Sequence, residues 1–222
     1  MIKRIFLPIL MSIPCSVYAL GMQPETTVLI FNEEKNEASI SVKNTNSVPS
    51  LLQTKIVDIG EAEDVLVLSS PSIVKIEPGE SQIVRFFLKK NSDFDTQILK
   101  RVRFLGVPAK QESNKENSSL TFTVGQSIPL LINPVGLKVD REPWKHLTYS
   151  FDGRNIIISN PSKYIVRMYP EVKVNGKKIK VEQSYITPRT KLTIKYERPP
   201  SEITIVPVGL YGELRDEYQI KN

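Results

Sequence analysis

The chain has almost none of the residues that build metal and nucleophile sites. Its 222 residues include one cysteine, Cys15, and one histidine, His146. Zinc sites made from clusters of cysteine and histidine are therefore excluded. A Ser-His-Asp or Cys-His site would have to use His146. An enzyme that relies on carboxylates alone stays open, but no motif points to one. The sequence predicts no catalytic residue, no metal and no cofactor, and a protein that is not an enzyme.

Alanine is also scarce, with 4 residues against 24 isoleucines and 20 valines. Alanine is the best helix former, whereas β-branched side chains fit the pleated surface of a sheet. This balance excludes helical bundles and helical solenoids and argues against a βαβ enzyme. The 16 prolines and 10 glycines suit many short strands joined by turns. The composition therefore predicts an all-β protein.

The first nineteen residues have the layout of a secretory signal peptide. Lys3 and Arg4 precede an apolar run over residues 5–13, and small residues follow at Val17-Tyr18-Ala19. The apolar run is too short to span a bilayer. We expect residues 1–19 to be removed and the mature protein to be exported.

Two other interpretations of this segment are weaker. A buried first strand would not need basic residues, an apolar run and small residues in this order. A lipid anchor at Cys15 would need a lipobox, which Ser12-Ile13-Pro14 does not resemble.

The mature chain would contain no cysteine, so burial alone must stabilise it. Removal of Lys3 and Arg4 leaves 28 basic and 24 acidic residues, a net charge of +4. The basic residues are scattered rather than arranged in a stripe with aromatic residues, so no nucleic-acid partner is predicted. No later apolar stretch is long enough for a membrane span, so no membrane insertion is expected.

Short strands are predicted along the whole mature chain. Ala38, Ile40 and Val42 alternate with polar residues, as in a half-buried strand. Asn175-Gly176 between extended segments is a strong hairpin signal. The pattern breaks at residues 133–137, which predicts an N-terminal domain over 20–134 and a C-terminal domain over 135–222. Both sizes suit immunoglobulin-like β-sandwiches.

Five motifs, in order, resemble the PapD-like periplasmic pilus (fimbrial) chaperones. They are Asn44, Pro49 and Gln53; PSIVKIEPGESQIVR from Pro71 to Arg85; VGQSIPLLINP from Val124 to Pro134; ISNPSKYIVRMYPEVKVNGKKI from Ile158 to Ile179; and ITPRTKL from Ile186 to Leu192. The chain is identified as a divergent member of this family on their combination, which covers essentially the whole mature chain.

This resemblance implies two immunoglobulin-like domains at an angle, with a cleft between them. The last strand of the first domain would donate apolar side chains to an incomplete fimbrial or pilin subunit, which is donor-strand complementation. The subunit would then pass to an outer-membrane usher, with no nucleotide or other cofactor. Leu120, Phe122 and Val124 are the predicted donor side chains.

The residues support this assignment without the resemblance. Leu120, Phe122 and Val124 share one face because side chains in a strand repeat every two residues. They follow a polar loop over residues 110–117, which places the strand near an accessible edge. An apolar edge in an exported protein implies a covering partner, or self-association when the protein is unloaded. On pattern alone, the three side chains could equally face their own domain core.

The chain departs from the family at the subunit-anchoring site. The family holds the carboxylate at the end of the subunit with one arginine and one lysine. These family anchor positions are substituted here by Val28 and Pro129, whose side chains cannot bind a carboxylate.

Arg103 is the first candidate for a relocated anchor, and Arg85 is the second. Arg101 and Arg103 share one face of their strand, and Val102 and Phe104 share the other. KRVRF, from Lys100 to Phe104, resembles an arginine-bearing strand of non-classical family members. Each arginine could instead belong to a solvated or salt-bridged face. The anchor could also be absent, in a divergent accessory protein that does not cap subunits.

The predicted function is a chaperone that caps fimbrial subunits and delivers them to the usher. The alternatives are the divergent accessory protein and an exported immunoglobulin-like component of a fibre or adhesin. Two complete domains favour the chaperone, because a pilin usually comprises one domain.

The signal-peptide assignment predicts that the mature protein starts at Leu20, because small residues precede that position. N-terminal sequencing of protein purified from the periplasm should read Leu-Gly-Met. An intact Met1 on that protein would refute the assignment.

Overall fold

The computed structural model describes residues 21–59, 64–109 and 124–221, with the backbone alone of Val124. Strands dominate it, and its two helices are single 3₁₀ turns at Glu33–Lys35 and Pro143–His146. The all-β prediction is therefore confirmed. None of the helices in these three ranges could cross a membrane.

In the described part of the chain, nine strands form the N-terminal sandwich. They are β1 (Met22–Pro24), β2 (Leu29–Asn32), β3 (Glu37–Asn44), β4 (Ser50–Asp58), β5 (Val65–Ser70), β6 (Ile73–Ile76), β7 (Ser81–Lys90), β8 (Ile98–Pro108) and β9 (Val124–Asn133). One sheet has the order β1-β3-β7-β5, and the other has the order β2-β9-β8-β4-β6. Alternate residues of both sheets fill one core around Phe31, Phe86 and Phe104, which are fully buried.

Among the described residues, eight strands form the C-terminal sandwich. They are β10 (Thr148–Phe151), β11 (Asn155–Ser159), β12 (Val166–Val174), β13 (Lys177–Lys180), β14 (Tyr185–Ile186), β15 (Lys191–Lys195), β16 (Ile203–Val208) and β17 (Tyr218–Gln219). One sheet has the order β10-β11-β15, and the other the order β13-β12-β16-β17 with β14 beside β12. Their core contains Trp144, Ile156 and Ile158.

The hairpin signal at Asn175-Gly176 is confirmed. β12 pairs with β13 directly across this turn, from Val174 opposite Lys177. Both turn residues have positive φ, 49° for Asn175 and 79° for Gly176, as a type I′ turn requires.

Two segments differ from the predicted strands. The sequence predicts two separate strands over 164–169 and 172–174, but Val166–Val174 form one strand, β12, whose register with β16 shifts between Met168 and Val172. The pattern did not predict β1, which has three residues, because so short a strand carries little alternation.

A buried asparagine stabilises the loop beside a strand in each sandwich. The Asn44 side chain is fully buried, and its amide donates to the carbonyl oxygens of Val48 (3.1 Å) and Ile76 (2.9 Å). The Asn160 amide likewise donates to the carbonyl oxygens of Tyr164 (2.7 Å) and Ile186 (3.1 Å). Buried carbonyl groups need such donors because water cannot reach them.

The segment after β9 is attached to the N-terminal sandwich by Glu33. The backbone N–H of Val135 donates to Glu33 Oε2 at 2.9 Å, and Lys90 Nζ donates to Glu33 Oε1 at 2.5 Å. Within the described residues, strands up to Asn133 pair with one another and strands from Thr148 pair with one another. The exact domain boundary at 134/135 stays a prediction.

Replacement of Asn44 tests the role of the buried amide. Asn44→Ala should lower the free energy of unfolding by about 1–3 kcal/mol, because two carbonyl groups lose their donor. Asn91→Ala is the control, since Asn91 is exposed. Urea denaturation would measure both variants, and equal midpoints would contradict this role.

Candidate functional site

The last strand of the N-terminal sandwich has neighbours on both sides for only part of its length. β9 pairs with β8 from Val124 opposite Gly106 to Ile132 opposite Ile98. It pairs with β2 only from Leu130 to Asn133. Within the described residues, the other side of Val124–Pro129 has no neighbouring strand. We call this stretch the open edge of β9.

The open edge exists because the first segment of the chain changes sheets. Met22–Pro24 pairs with β3 in the four-stranded sheet, and the chain joins the five-stranded sheet only at Leu29. β2 therefore starts too late to cover Val124–Pro129. An uncovered strand can accept a further strand through its backbone hydrogen-bonding groups.

In the sequence, two of the predicted donor residues precede this edge and the third, Val124, is its first residue. Leu120 and Phe122 are outside the described residues, as is the side chain of Val124. Further along β9, Ile128, Leu130 and Ile132 are buried in the sandwich core. The donor role of the three predicted residues stays a prediction.

The positions of the family's anchor are apolar and lie beside the domain junction. Val28 is buried in a cluster with Leu99, Leu131 and Ile165, and the last of these comes from the C-terminal sandwich. Pro129 lies opposite Arg101 in the register of β9 and β8. An arginine at the position of Val28, as the family pattern has it, would place a charge in an apolar contact, so the substitution agrees with the local packing.

Arg101 and Arg103 lie on the outer face of the five-stranded sheet, as the alternation predicted. Val102 and Phe104 are fully buried on the inner face. Arg101 Nε donates to Ser127 Oγ at 2.8 Å, and Nη2 donates to the Ser127 carbonyl oxygen at 2.6 Å. This guanidinium therefore lies over the open edge, two residues from Pro129.

Arg103 lies one row further from the junction, between Lys55 on β4 and Ser127 on β9. It is exposed, and no hydrogen bond or ion pair to it is found among the described residues. Arg85 lies on the opposite sheet, where its Nε is 3.6 Å from Glu37 Oε1. The structure therefore brings Arg101 and Arg103 to the open edge, but not Arg85.

Gln97 joins the two sandwiches through its backbone and its side chain. Its N–H donates to the Lys163 carbonyl oxygen, and its Oε1 accepts from the Ile165 N–H, both at 2.8 Å. Its Nε2 donates to Asn133 Oδ1 at 2.8 Å, at the end of β9. No sequence pattern points to Gln97, because a single glutamine before a strand carries no periodic signal.

An ion cluster adds to this junction. Arg189 Nη2 and Lys163 Nζ lie 2.6 and 3.1 Å from Asp95 Oδ2. Hydrogen bonds from Arg189, and then from Lys163, lower the pKa of Asp95. The carboxylate therefore stays ionised at neutral pH, and any stabilisation from the cluster would be lost only as the pH falls through this lowered value.

Arg167 of β12 stabilises the loop that faces β2. Its guanidinium donates to the carbonyl oxygens of Gly209 and Leu210, and burial lowers its pKa. Thr27 Oγ1 donates to the Tyr211 carbonyl oxygen at 2.6 Å, which attaches this loop to the N-terminal sandwich. Because arginine stays protonated even at a lowered pKa, the contact does not titrate near neutral pH.

Two of the cavities formed by the described residues lie beside the junction, and both include Gln97 in their lining. One of about 490 Å³ includes Ile59, Leu99 and Tyr185 in its lining. The other, of about 440 Å³, is lined by Ile30, Gln97 and Leu210 among others. No group of side chains that could hold a metal ion occurs in the described ranges. The arrangement provides a backbone edge and cations, which suit binding of a peptide strand.

Comparisons with known proteins agree with this arrangement. Residues 21–138 match the family described as "Pili and flagellar-assembly chaperone, PapD N-terminal domain". The chain is 35% identical to the uncharacterized fimbrial chaperone YhcA of Escherichia coli K12, over 98% of both chains. It is 25% identical to the chaperone protein LpfB of Salmonella typhimurium, over 66% of this chain and 65% of that protein.

Solved structures show the same fold. The Salmonella enterica SafA pilin in complex with the SafB chaperone matches with a TM-score of 0.75 and 18% identity, over 92% of this chain and 97% of the other. The Escherichia coli chaperone DraB matches with a TM-score of 0.73 and 17% identity, over 91% and 99%. The relatives are named as chaperones, which agrees with the prediction that this chain is not an enzyme.

Proposed function

The chain belongs to the PapD family of pili and flagellar-assembly chaperones, and from this membership we propose that it binds pilin subunits along the open edge of β9. The half-paired strand carries this proposal, because Val124–Pro129 has β8 on one side and no neighbouring strand on the other among the described residues. An incomplete subunit would contribute the missing neighbour.

The proposed complex forms by donor-strand complementation. Backbone groups of the open edge pair with the subunit, and Leu120, Phe122 and Val124 fill its apolar groove. Burial of each apolar side chain contributes roughly 1.5–3 kcal/mol. The family and the named relatives favour this function over an exported fibre or adhesin component. The proposed chaperone caps subunits, whereas a divergent accessory protein would not.

The proposed location is the periplasm, reached through cleavage of residues 1–19. The family of pilus chaperones supports that location.

The proposed second partner is an outer-membrane usher, which receives the loaded subunit. Leu51, Ile73 and Val107 are exposed on the outer face of the five-stranded sheet and offer an apolar surface for this contact. Self-association through uncovered donor side chains is proposed for the unloaded protein.

The donor strand is tested by Leu120→Asp together with Phe122→Asp. This pair should abolish capture of a co-expressed, tagged pilin subunit, because two carboxylates cannot enter an apolar groove. Thr121→Asp with Thr123→Asp is the matched control, since it adds the same charges on the other face of the segment.

Co-purification of the subunit would be measured for both pairs, with a melting curve for each. Capture by the Leu120 and Phe122 variant at the level of the unmodified protein would contradict the donor assignment. Unfolding of that variant alone would favour the interpretation that both side chains belong to the domain core.

We further propose that the relocated anchor for the subunit carboxylate is cationic and lies on β8. Arg103 remains the predicted residue, and Arg101 joins it because its guanidinium lies over Ser127 beside Pro129. A carboxylate that enters a partly buried cleft needs such a partner, because an unpaired buried charge is strongly unfavourable.

Single alanine substitutions test the anchor. Arg103→Ala or Arg101→Ala should weaken subunit binding by more than the roughly 1 kcal/mol of an exposed ion pair, which is about a fivefold rise in Kd. Arg85→Ala removes the same charge from the opposite sheet and should have little effect. Titration of a purified subunit would measure all three.

Two results would change this assignment. A loss of subunit affinity in Arg85→Ala as large as that in Arg103→Ala would favour Arg85, the second candidate for the anchor. Unchanged binding in all three folded variants would remove the relocated anchor and leave capture by backbone groups alone.

A further inference from the structure

The N-terminal sandwich has a second uncovered strand, on the sheet opposite the open edge of β9. β5 ends the four-stranded sheet and, within the described residues, pairs with β7 alone. It has six residues, VLVLSS, without a charge, and it is the longest strand at any sheet end in those residues. This edge plays no part in the proposed function.

The outer face beside this edge is apolar. Leu66 and Leu68 are each 51% exposed on β5, and Phe87, which lies opposite Leu68 on β7, is 38% exposed. Their neighbours Val65 and Val67 are buried in the core. Three large apolar side chains thus form a continuous exposed patch that ends at an unpaired backbone edge.

The end strands β13 and β15 carry charges that oppose strand addition, whereas β1, β2, β10 and β17 carry none but have at most four residues each. β13 has Lys177, Lys178 and Lys180, and β15 begins and ends with Lys191 and Lys195. Lysine on an edge strand is a common defence against pairing with another chain. Among the described end strands, β5 alone combines more than four residues with the absence of charge, which favours its pairing with another strand.

We propose that β5 pairs antiparallel with β5 of a second copy of this chain, which joins two four-stranded sheets into one of eight strands. A two-fold axis at Val67 places Leu66 opposite Leu68 of the second copy, and Leu68 opposite its Leu66. The two apolar patches then become continuous across the axis. Such a contact closes on itself, because each copy uses the same surface.

The charges around β5 fit this pairing. Asp64 is exposed at the start of β5, and Arg85 lies opposite Ser70 at its end. In the antiparallel pair, Asp64 lies beside Ser70 of the second copy and two strands from its Arg85. Two strand spacings are about 10 Å, which an arginine and an aspartate side chain together can bridge. The same ion pair forms twice, once on each side of the axis.

In the proposed dimer, the subunit-binding site of each copy stays free. β5 belongs to the four-stranded sheet, whereas the open edge, Arg101 and Arg103 belong to the five-stranded sheet. A dimer could therefore hold two subunits at once. It also differs from self-association through the donor strand, because it does not require Leu120 or Phe122.

Mass measurement by light scattering tests the dimer on the full mature chain at several concentrations. Leu66→Lys with Leu68→Lys should reduce the dimer mass by about half, because lysines on the joined face repel across the axis. Leu51→Lys is the control, since Leu51 is exposed on the opposite sheet, and it should remain dimeric. Leu120→Asp with Phe122→Asp should also remain dimeric.

A charge exchange identifies the register of the contact. Asp64→Arg alone should weaken the dimer, because it faces Arg85 of the second copy, and adding Arg85→Asp should restore it.

A monomer at every concentration would overturn the proposal, as would a dimer unaffected by the two lysines. Loss of the dimer in the donor-strand variant would assign the contact to β9 instead. Subunit capture by the Leu66 and Leu68 variant is measured separately, and it should be normal.

Discussion

The arrangement of the N-terminal sandwich depends on one strand, β9, that is paired on both sides for less than half its length. Its last four residues complete the five-stranded sheet between β8 and β2. Its first half has β8 alone as a neighbour among the described residues. Backbone hydrogen bonds hold the strand on both sides at one end, and the other end presents an edge whose backbone groups can pair with a further strand.

The domain junction places the C-terminal sandwich at the end of this edge. Val28, Leu99 and Leu131 pack against Ile165, and Gln97 connects the same surfaces by hydrogen bonds. This packing gives a physical reason for the departures from the family pattern at Val28, since an apolar residue there stabilises the junction. Cations are instead available on β8, at Arg101 opposite Pro129 and at Arg103, on the same outer face.

The two sheets of the N-terminal sandwich have separate roles in these proposals. The five-stranded sheet carries the open edge of β9, the cations and the exposed Leu51 and Val107. The four-stranded sheet ends in β5, whose apolar outer face is uncovered. Because a sandwich has its core between the sheets, the two outer faces can bind different partners without competing.

The sequence by itself determined the all-β class, the strands with clear alternation and the Asn175-Gly176 hairpin, because these depend on local preferences of neighbouring residues. It also identified the arginine face of β8, since side chains repeat every two residues along a strand. Only the tertiary structure decided which strands are neighbours. Contacts between residues far apart in the chain decide that β9 pairs with β2 from Leu130 onward, that Gln97 reaches Ile165 and that β5 lies at a sheet end. Local patterns do not encode such contacts.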